Sequence, residues 1–183
     1  MADGLPTPEY EKPLPLPGAL LAAVLRAEDH HVRRVVEWLS VFDPRGTLLA
    51  TRKGDAHGVS IAGLEWLLRD ATMTHNHPLG TTFTVADVGA AMRHNLMELR
   101  VVAEVDGVRT LYRLQRPAAG WPALGTGALE DAFAEALPAG LERAMTLRDA
   151  GRWAADVLHF GMEHLAERFG LRYSREQEPP CSA

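Results

Sequence analysis

Cysteine is almost absent from this 183-residue sequence, and other features are missing with it. The single thiol, Cys181, excludes both an internal disulfide and a zinc site built from several thiolates. No apolar run approaches the roughly 20 residues that a membrane helix requires. The N-terminus also lacks the charged start and the apolar stretch of a signal peptide. We therefore expect a soluble, cytoplasmic protein that does not contact a membrane.

A surplus of positive charge is lacking as well. The formal net charge is −5, so no overall basic field would gather nucleic acid around the protein. Arg33, Arg34, Arg45 and Arg52 fall close together in the sequence, but we interpret them as an ordinary solvated face. We therefore expect no nucleic-acid partner.

Hydrophobic periodicity and turn chemistry predict an α/β (α+β) fold, a mixed β-sheet flanked by helices. Two hairpins are predicted, one around the Asp-Pro-Arg-Gly turn at 43–46 and one around Asp106-Gly107. A short strand, ATMTHN, should end at Pro78. Helical spacing predicts four helical segments: 19–35, 60–69, the TVADVGAAMRHN segment that Thr84 opens, and 129–169 with a break near 138–140.

The chain divides into four parts on the same reasoning. Residues 1–17 are proline-rich and should be extended and disordered. Residues 18–118 carry the predicted sheet and should form the main domain. Residues 119–175 should be a helical extension that packs on that domain, and 176–183 a disordered tail.

His75 and His77 are the first candidates for chemistry. They stand two positions apart at the end of the predicted strand, so both side chains should project from the same face while Asn76 points away. Two imidazoles at this spacing can hold one tetrahedral ion. Because Pro78 follows, both rings should lie near the carboxyl end of the strand, where open α/β sheets tend to bind ligands.

Asp87 is the third candidate, in the first turn of the next predicted helix. The intervening loop is short enough to bring that turn back over the strand end. An oxygen ligand from Asp87 would leave one position open for water, as in catalytic zinc sites. Alternatively, Thr84 and Asp87 fit a helix N-cap with a carboxylate at the third position, and the two roles are compatible because a carboxylate has two oxygens. The combination favours a metal site.

These residues resemble the JAB/MPN (JAMM) metalloprotease family, whose signature is an upstream Glu, then His-x-His-Pro, then Ser-x-x-Asp. Here the latter parts stand as HNHP at 75–78 and TVAD at 84–87. The HNHP form is similar to the RadC-like branch of that fold, and EWLSVFDPRGTLLA resembles its opening strands. The stretch HNHPLGTTFTVAD and the tail LAERFGLRYSRE also resemble JAB-like modules of phage minor-head and prophage proteins. The match covers about residues 35–115.

The resemblance implies a role for each residue. Zinc (Zn²⁺) would be held by His75, His77 and Asp87, and residues 18–118 would form a JAB-like metal-binding domain. Glu37 would act as the general base, and Thr84 would occupy the serine position that steadies an oxyanion. Glu28 and Glu65 remain alternatives for the base.

We consider three functions for this protein. The first is a zinc-dependent hydrolase that cleaves a peptide or isopeptide bond, with a peptide or protein partner that could be ubiquitin-like. The second is a non-catalytic JAB-like module in a phage or mobile-element assembly. A metal-dependent nuclease, suggested only by the letters HNH, ranks lowest because the acidic net charge gives no help with phosphates.

The other six histidines are not assigned to the metal site. His57, on a Gly-flanked loop, could approach the metal, and His94 could lie two helical turns from Asp87 but reads as a surface residue. We interpret the four remaining histidines as structural: His30, His31, His159 and His164.

Overall fold

The computed structural model describes residues 10–105, 107–146 and 153–178. Its helices are α1 (Gly18–His31), α2 (Val85–Arg93), α3 (Thr126–Thr146) and α4 (Trp153–Phe169). Its strands are β1 (Trp38–Phe42), β2 (Leu48–Lys53), β3 (Thr72–Asn76), β4 (Glu98–Val105), β5 (Val108–Gln115) and β6 (Arg172–Glu178). The predicted α/β (α+β) class is confirmed.

The six strands form one mixed sheet in the order β2-β1-β3-β4-β5-β6. The β3–β4 pair is parallel and α2 lies between those strands in the chain, whereas the other neighbouring pairs are antiparallel. Both predicted hairpins are present, as β1–β2 and β4–β5. In the first turn, Asp43 Oδ1 accepts hydrogen bonds from the backbone of Arg45 and Thr47, and Gly46 takes a φ of 90°. Asp106 lies outside the described residues.

Helices cover both faces of the sheet. On one face α1 buries Leu20 and Val24 in a small cluster with Phe42. The main core lies on the other face and is shared by the sheet with α2, α3 and α4; its members include Leu39, Met73, Val88, Leu99, Tyr112, Leu129, Met162, Leu165 and Tyr173. Alternate residues of a strand therefore meet different helices. Among the described residues, no helix is both long and apolar enough to cross a membrane.

The C-terminal part differs from its prediction. Residues 172–178 form β6, which pairs with β5 from Arg109 to Gln115, rather than the end of a helical segment and the start of a disordered tail. Tyr173 is the single large apolar residue of β6, so the segment carries little local strand signal, and pairing with β5 decides its conformation. Residues 179–183 lie outside the described residues.

The N-terminal segment also differs in its described part. Residues 10–17 have no regular secondary structure, as expected, but they pack on the fold rather than being disordered. The Tyr10 hydroxyl donates to Glu163, Leu14 N–H donates to the Gln115 side chain, and Leu16 is buried. Residues 1–9 lie outside the described residues.

Two helix predictions are corrected. In the 60–69 segment only Glu65–Leu67 forms a single 3₁₀ turn, because Gly63 at a φ of 80° interrupts a helix. Helix α1 ends at His31 rather than at 35.

Helix α3 runs through Pro138, where a break was predicted. Here α3 packs closely on α4: a Cβ on Gly140 would lie 2.3 Å from the Val157 carbonyl oxygen. Tertiary packing of this kind can outweigh the local cost of a proline.

Candidate metal centre

The strand register explains why Glu37, distant in sequence, reaches the two histidines. Strands β1 and β3 are antiparallel with Leu39 opposite His75, so the residue two positions before Leu39 lies beside the residue two positions after His75. Glu37 is therefore next to His77. The Asn76 side chain points to the other face, where its Oδ1 accepts from Trp38 N–H at 2.7 Å. The predicted alternation of this His-x-His strand end is confirmed.

Three side chains converge at this strand end, and a fourth joins them from α2. One ligand atom each from Glu37, His75 and His77 lies within 4.8 Å of the others, and all three residues are buried. The two imidazole Nε2 atoms are 3.0 Å apart. Asp87 offers Oδ1 at 3.4 Å from His75 Nε2 and Oδ2 at 3.6 Å from His77 Nε2, whereas Glu37 Oε1 is 3.9 Å from His77 Nε2.

These spacings suit a metal ion. Two ligand nitrogens about 2.05 Å from a tetrahedral zinc would lie about 3.3 Å apart, close to the separations between the His75, His77 and Asp87 atoms. A buried cluster of two imidazoles and two carboxylates is also costly unless its charges and lone pairs find partners. Glu37, His75 and His77 can therefore hold a metal ion, and Asp87 lies in range to join them.

The tautomer of His77 suits a metal ligand that binds through Nε2. Its Nδ1 lies 3.1 Å from the Thr81 carbonyl oxygen, which can only accept, so Nδ1 carries the proton. The Nε2 lone pair then faces His75 and Asp87. A backbone carbonyl that fixes the ring of a metal-ligating histidine in this way is a common supporting contact.

The pKa values of the four side chains in the cluster are shifted in different directions. Burial raises the pKa of Glu37, and burial together with the neighbouring His75 lowers the pKa of His77 to about 4. Burial also opposes charge on His75 and Asp87, but their attraction for each other wins: the pKa of His75 rises and that of Asp87 falls below its usual range. His75 and Asp87 therefore favour each other's charged forms, whereas the neutral form of His77 is favoured.

Thr84 caps α2 and holds Asp87. Its hydroxyl accepts from Asp87 N–H at 3.2 Å and donates to Asp87 Oδ2 at 2.7 Å, while its own N–H donates to the same oxygen at 2.7 Å. This is the capping box suggested by the sequence. Asp87 Oδ1 remains directed at His75, so cap and ligand geometry coexist. The hydroxyl proton of Thr84 is engaged by Asp87, and the oxyanion role stays a prediction.

We expect Thr84→Ala to lower the free energy of unfolding by about 1 kcal/mol, because the cap is lost. Thr84→Ser should retain most of that stability, since serine keeps the hydroxyl. Urea unfolding of the three proteins measures both. Equal losses in the Ala and Ser variants would contradict a capping role for the hydroxyl.

A cavity of about 320 Å³ opens above the cluster. Its lining includes Glu37, His75, His77, Thr84 and Asp87. His57 lies in the same wall, as the sequence allowed, but it is exposed and outside the cluster. The four predicted site residues and the predicted base thus share one cavity.

The alternative bases are elsewhere. Glu28 is fully buried and binds Arg100 and Thr74, and Thr74 faces away from His75 on β3. Glu65 is exposed on its 3₁₀ turn, and His94 is the C-cap of α2. None of the three lines the cavity.

Sequence reasoning missed the residues that hold the 77–83 loop. The Tyr112 hydroxyl donates to the Gly80 carbonyl at 3.3 Å, and the Tyr173 hydroxyl lies 3.2 Å from Thr82 Oγ1 and 2.8 Å from His159 Nδ1. These contacts flank Thr81, whose carbonyl orients His77. Both tyrosines read as ordinary strand residues, and no local signal points to the loop.

Comparisons with known proteins leave the family open. No family model matches the chain, and no curated protein or solved structure is significantly similar to it. The JAB/MPN resemblance stays a prediction from the sequence. The roles proposed below therefore depend on the geometry of this site.

Proposed function

We propose that this protein is a zinc-dependent hydrolase of the JAB/MPN type that cleaves a peptide or isopeptide bond. The observation that carries the proposal is the convergence of His75, His77, Asp87 and Glu37 at the end of β3, inside an open cavity. The HNHP and TVAD motifs support it, because they resemble the His-x-His-Pro and Ser-x-x-Asp parts of that family's signature.

Within this proposal His75, His77 and Asp87 are the zinc ligands. Their contacts with one another are shorter than the 3.9 Å that separates Glu37 from His77. Two imidazoles and a carboxylate leave a fourth position open, as catalytic zinc sites do. Zinc bound there would supply a Lewis acid and lower the pKa of a coordinated water.

Glu37 then acts as the general base. Its carboxylate is buried in the cavity wall with Oε1 3.9 Å from His77 Nε2, and it would take a proton from the zinc-activated water and return it to the departing amine. Its backbone is held on both sides, by Glu37 N–H to the Asp55 carbonyl and by Gly54 N–H to the Glu37 carbonyl. A base fixed in this way keeps its distance to the reacting water.

The first test is the metal content of the purified protein, measured by mass spectrometry for all first-row metals. We expect about one zinc per chain in the wild type and none in the His75→Ala, His77→Ala double variant. The matched control is His94→Ala, His164→Ala, which also removes two imidazoles but none from the cavity. The control should retain its zinc.

Two results would contradict the proposal. One is a wild-type protein that stays metal-free after zinc is supplied. The other is stoichiometric iron or manganese in place of zinc, because another ion would require a different chemistry. Circular dichroism of both double variants shows whether a loss of zinc reflects the site rather than unfolding.

A further inference from the structure

A second cavity, of about 390 Å³, opens on a different side of α2 from the metal cluster. Gly89, Met92 and Arg93 line it from one stripe of the helix, at spacings of three and four residues. Gly89 follows Asp87 by two residues, which at about 3.6 residues per turn places it about 160° around the helix from that residue. The loop before α3 supplies the facing wall with Trp121, and we name this space the Trp121 cavity.

The guanidinium of Arg93 is held over Gly89. A Cβ on Gly89 would come within 2.8 Å of Arg93 Nη1 and within 3.5 Å of Leu129 Cδ2, so the missing side chain leaves the space that the guanidinium occupies. Within the described ranges, Arg93 forms no hydrogen bond or ion pair, and the Asn95 side-chain amide, which lines the same cavity, has no hydrogen-bond partner. The cavity therefore offers a cation and an amide whose donors are not engaged.

The rest of the lining is largely apolar and well supported. The Trp121 Nε1 donates to the Leu96 carbonyl at 2.9 Å, which fixes the indole in the wall. Met92, Leu124 and Leu129 also line the cavity, and Leu129 belongs to the main core. A ligand here would meet an aromatic and aliphatic surface beside the two polar groups.

We propose that the Trp121 cavity binds a carboxylate that is attached to an aromatic or aliphatic group, with Arg93 and Asn95 as its hydrogen-bond donors. A guanidinium presents planar donors that match a carboxylate, and an amide adds further N–H groups. The volume of about 390 Å³ is at the lower end of the range for small-molecule sites, which suits a single ring or a short alkyl chain.

Two sources supply this chemistry: a free organic acid, or the C-terminus of a chain whose last residue is apolar. The inference is independent of the proposed zinc hydrolase function, because it uses none of the metal-site residues. Failure of one proposal therefore leaves the other standing.

The test compares 3-phenylpropionate with its neutral amide, 3-phenylpropanamide, by calorimetry on the full-length protein. We expect the acid to bind about tenfold more tightly than the amide, since the carboxylate adds a charge-assisted contact at an exposed site. Arg93→Gln should abolish this preference and leave binding of the amide unchanged. Gly89→Ala should reduce the preference, because the added methyl displaces the guanidinium. This variant should keep the fold, since alanine favours a helix more than glycine does.

Two control variants should keep the preference. Arg26→Gln removes another exposed helical arginine, from α1 on the opposite face of the sheet. The His75→Ala, His77→Ala double variant removes the metal site, to which a carboxylate could also bind. A preference that survives Arg93→Gln, or that disappears in either control, would overturn the inference. Equal binding of acid and amide, or no binding of either, would overturn it as well.

A second pair of probes identifies the source of the carboxylate. N-acetyl-Gly-Gly-Phe is compared with a free and with an amidated C-terminus. Tighter binding of the peptide acid than of 3-phenylpropionate supports a chain terminus as the ligand, and the reverse order supports a free organic acid. A peptide acid that binds no better than its amide excludes the chain terminus.

Discussion

Glu37→Gln is expected to lower the turnover of a cleaved peptide or isopeptide by about 10²- to 10⁴-fold, the usual contribution of a general base. Glutamine keeps the size of the side chain but cannot take up a proton. Because Glu37 lies farther from the imidazoles than Asp87 does, the zinc should remain bound. Turnover and metal content are measured on the same zinc-loaded preparation.

Asp87→Asn provides the complementary variant. Asp87 lies within 3.4 to 3.6 Å of both imidazole Nε2 atoms, so the neutral amide should weaken zinc binding strongly. Glu65→Gln is the control, since this exposed glutamate is outside the cavity and should affect neither measurement.

The two variants discriminate between the roles. If Glu37→Gln loses zinc and Asp87→Asn retains it, Glu37 is the zinc ligand and Asp87 is the base. Zinc that stays bound in Glu37→Gln with unchanged turnover would remove Glu37 from the mechanism. A zinc-loaded wild type that cleaves no peptide or isopeptide substrate would favour the non-catalytic JAB-like module instead.

The core of the site was predictable because it depends on local rules. Strand alternation places His75 and His77 together whatever the rest of the fold does, and Thr84 with Asp87 carries its own capping signal. The hairpin turn at Asp43 is equally local, since its side chain binds the turn backbone. The strand alternation, the helix cap and the hairpin turn, each determined by three to five neighbouring residues, were predicted correctly.

Features that depend on strand pairing were not predictable to the same degree. Glu37 could be placed only by analogy, because its neighbour is chosen by the register of β1 against β3. Strand β6 exists because β5 offers an edge, and it delivers Tyr173 to the loop beside His77. Pairing over long sequence separations leaves little trace in a single sequence.

Irregular and close-packed segments account for the remaining errors. The apolar spacing of Ile61, Leu64 and Leu68 suggested a helix, but these residues pack a loop against the core, and Gly63 prevents the helix. Pro138 signalled a break that the contact between α3 and α4 near Gly140 overrides. In both segments the backbone conformation differs from the one that the local sequence signal suggested.

Glu28→Ala is expected to destabilise the fold by about 3–5 kcal/mol, the usual cost of removing one partner from a buried ion pair. Glu28 is fully buried and accepts from Arg100 Nε at 2.6 Å, from Arg100 Nη2 at 3.2 Å and from the Thr74 hydroxyl at 3.1 Å. Burial disfavours the charged form of Arg100, but its bonds to Glu28 outweigh that effect and raise the pKa of Arg100 above its usual value. Arg100 therefore stays charged and loses one of its two buried counter-ions, since Glu98 still accepts from Nη1 at 2.9 Å.

The loss should be repaired by removing the second charge. The double variant Glu28→Leu, Arg100→Met replaces the pair by apolar groups of similar length and should recover most of the stability in urea unfolding. Arg33→Ala, which breaks the exposed pair with Glu104, is the control and should have little effect. A loss in Glu28→Ala no larger than in this control would show that Glu98 or water compensates the charge of Arg100 without Glu28. Because Thr74 and His75 face opposite sides of β3, the folded fraction of Glu28→Ala should still bind zinc, which separates the stability of the sheet from the chemistry of the site.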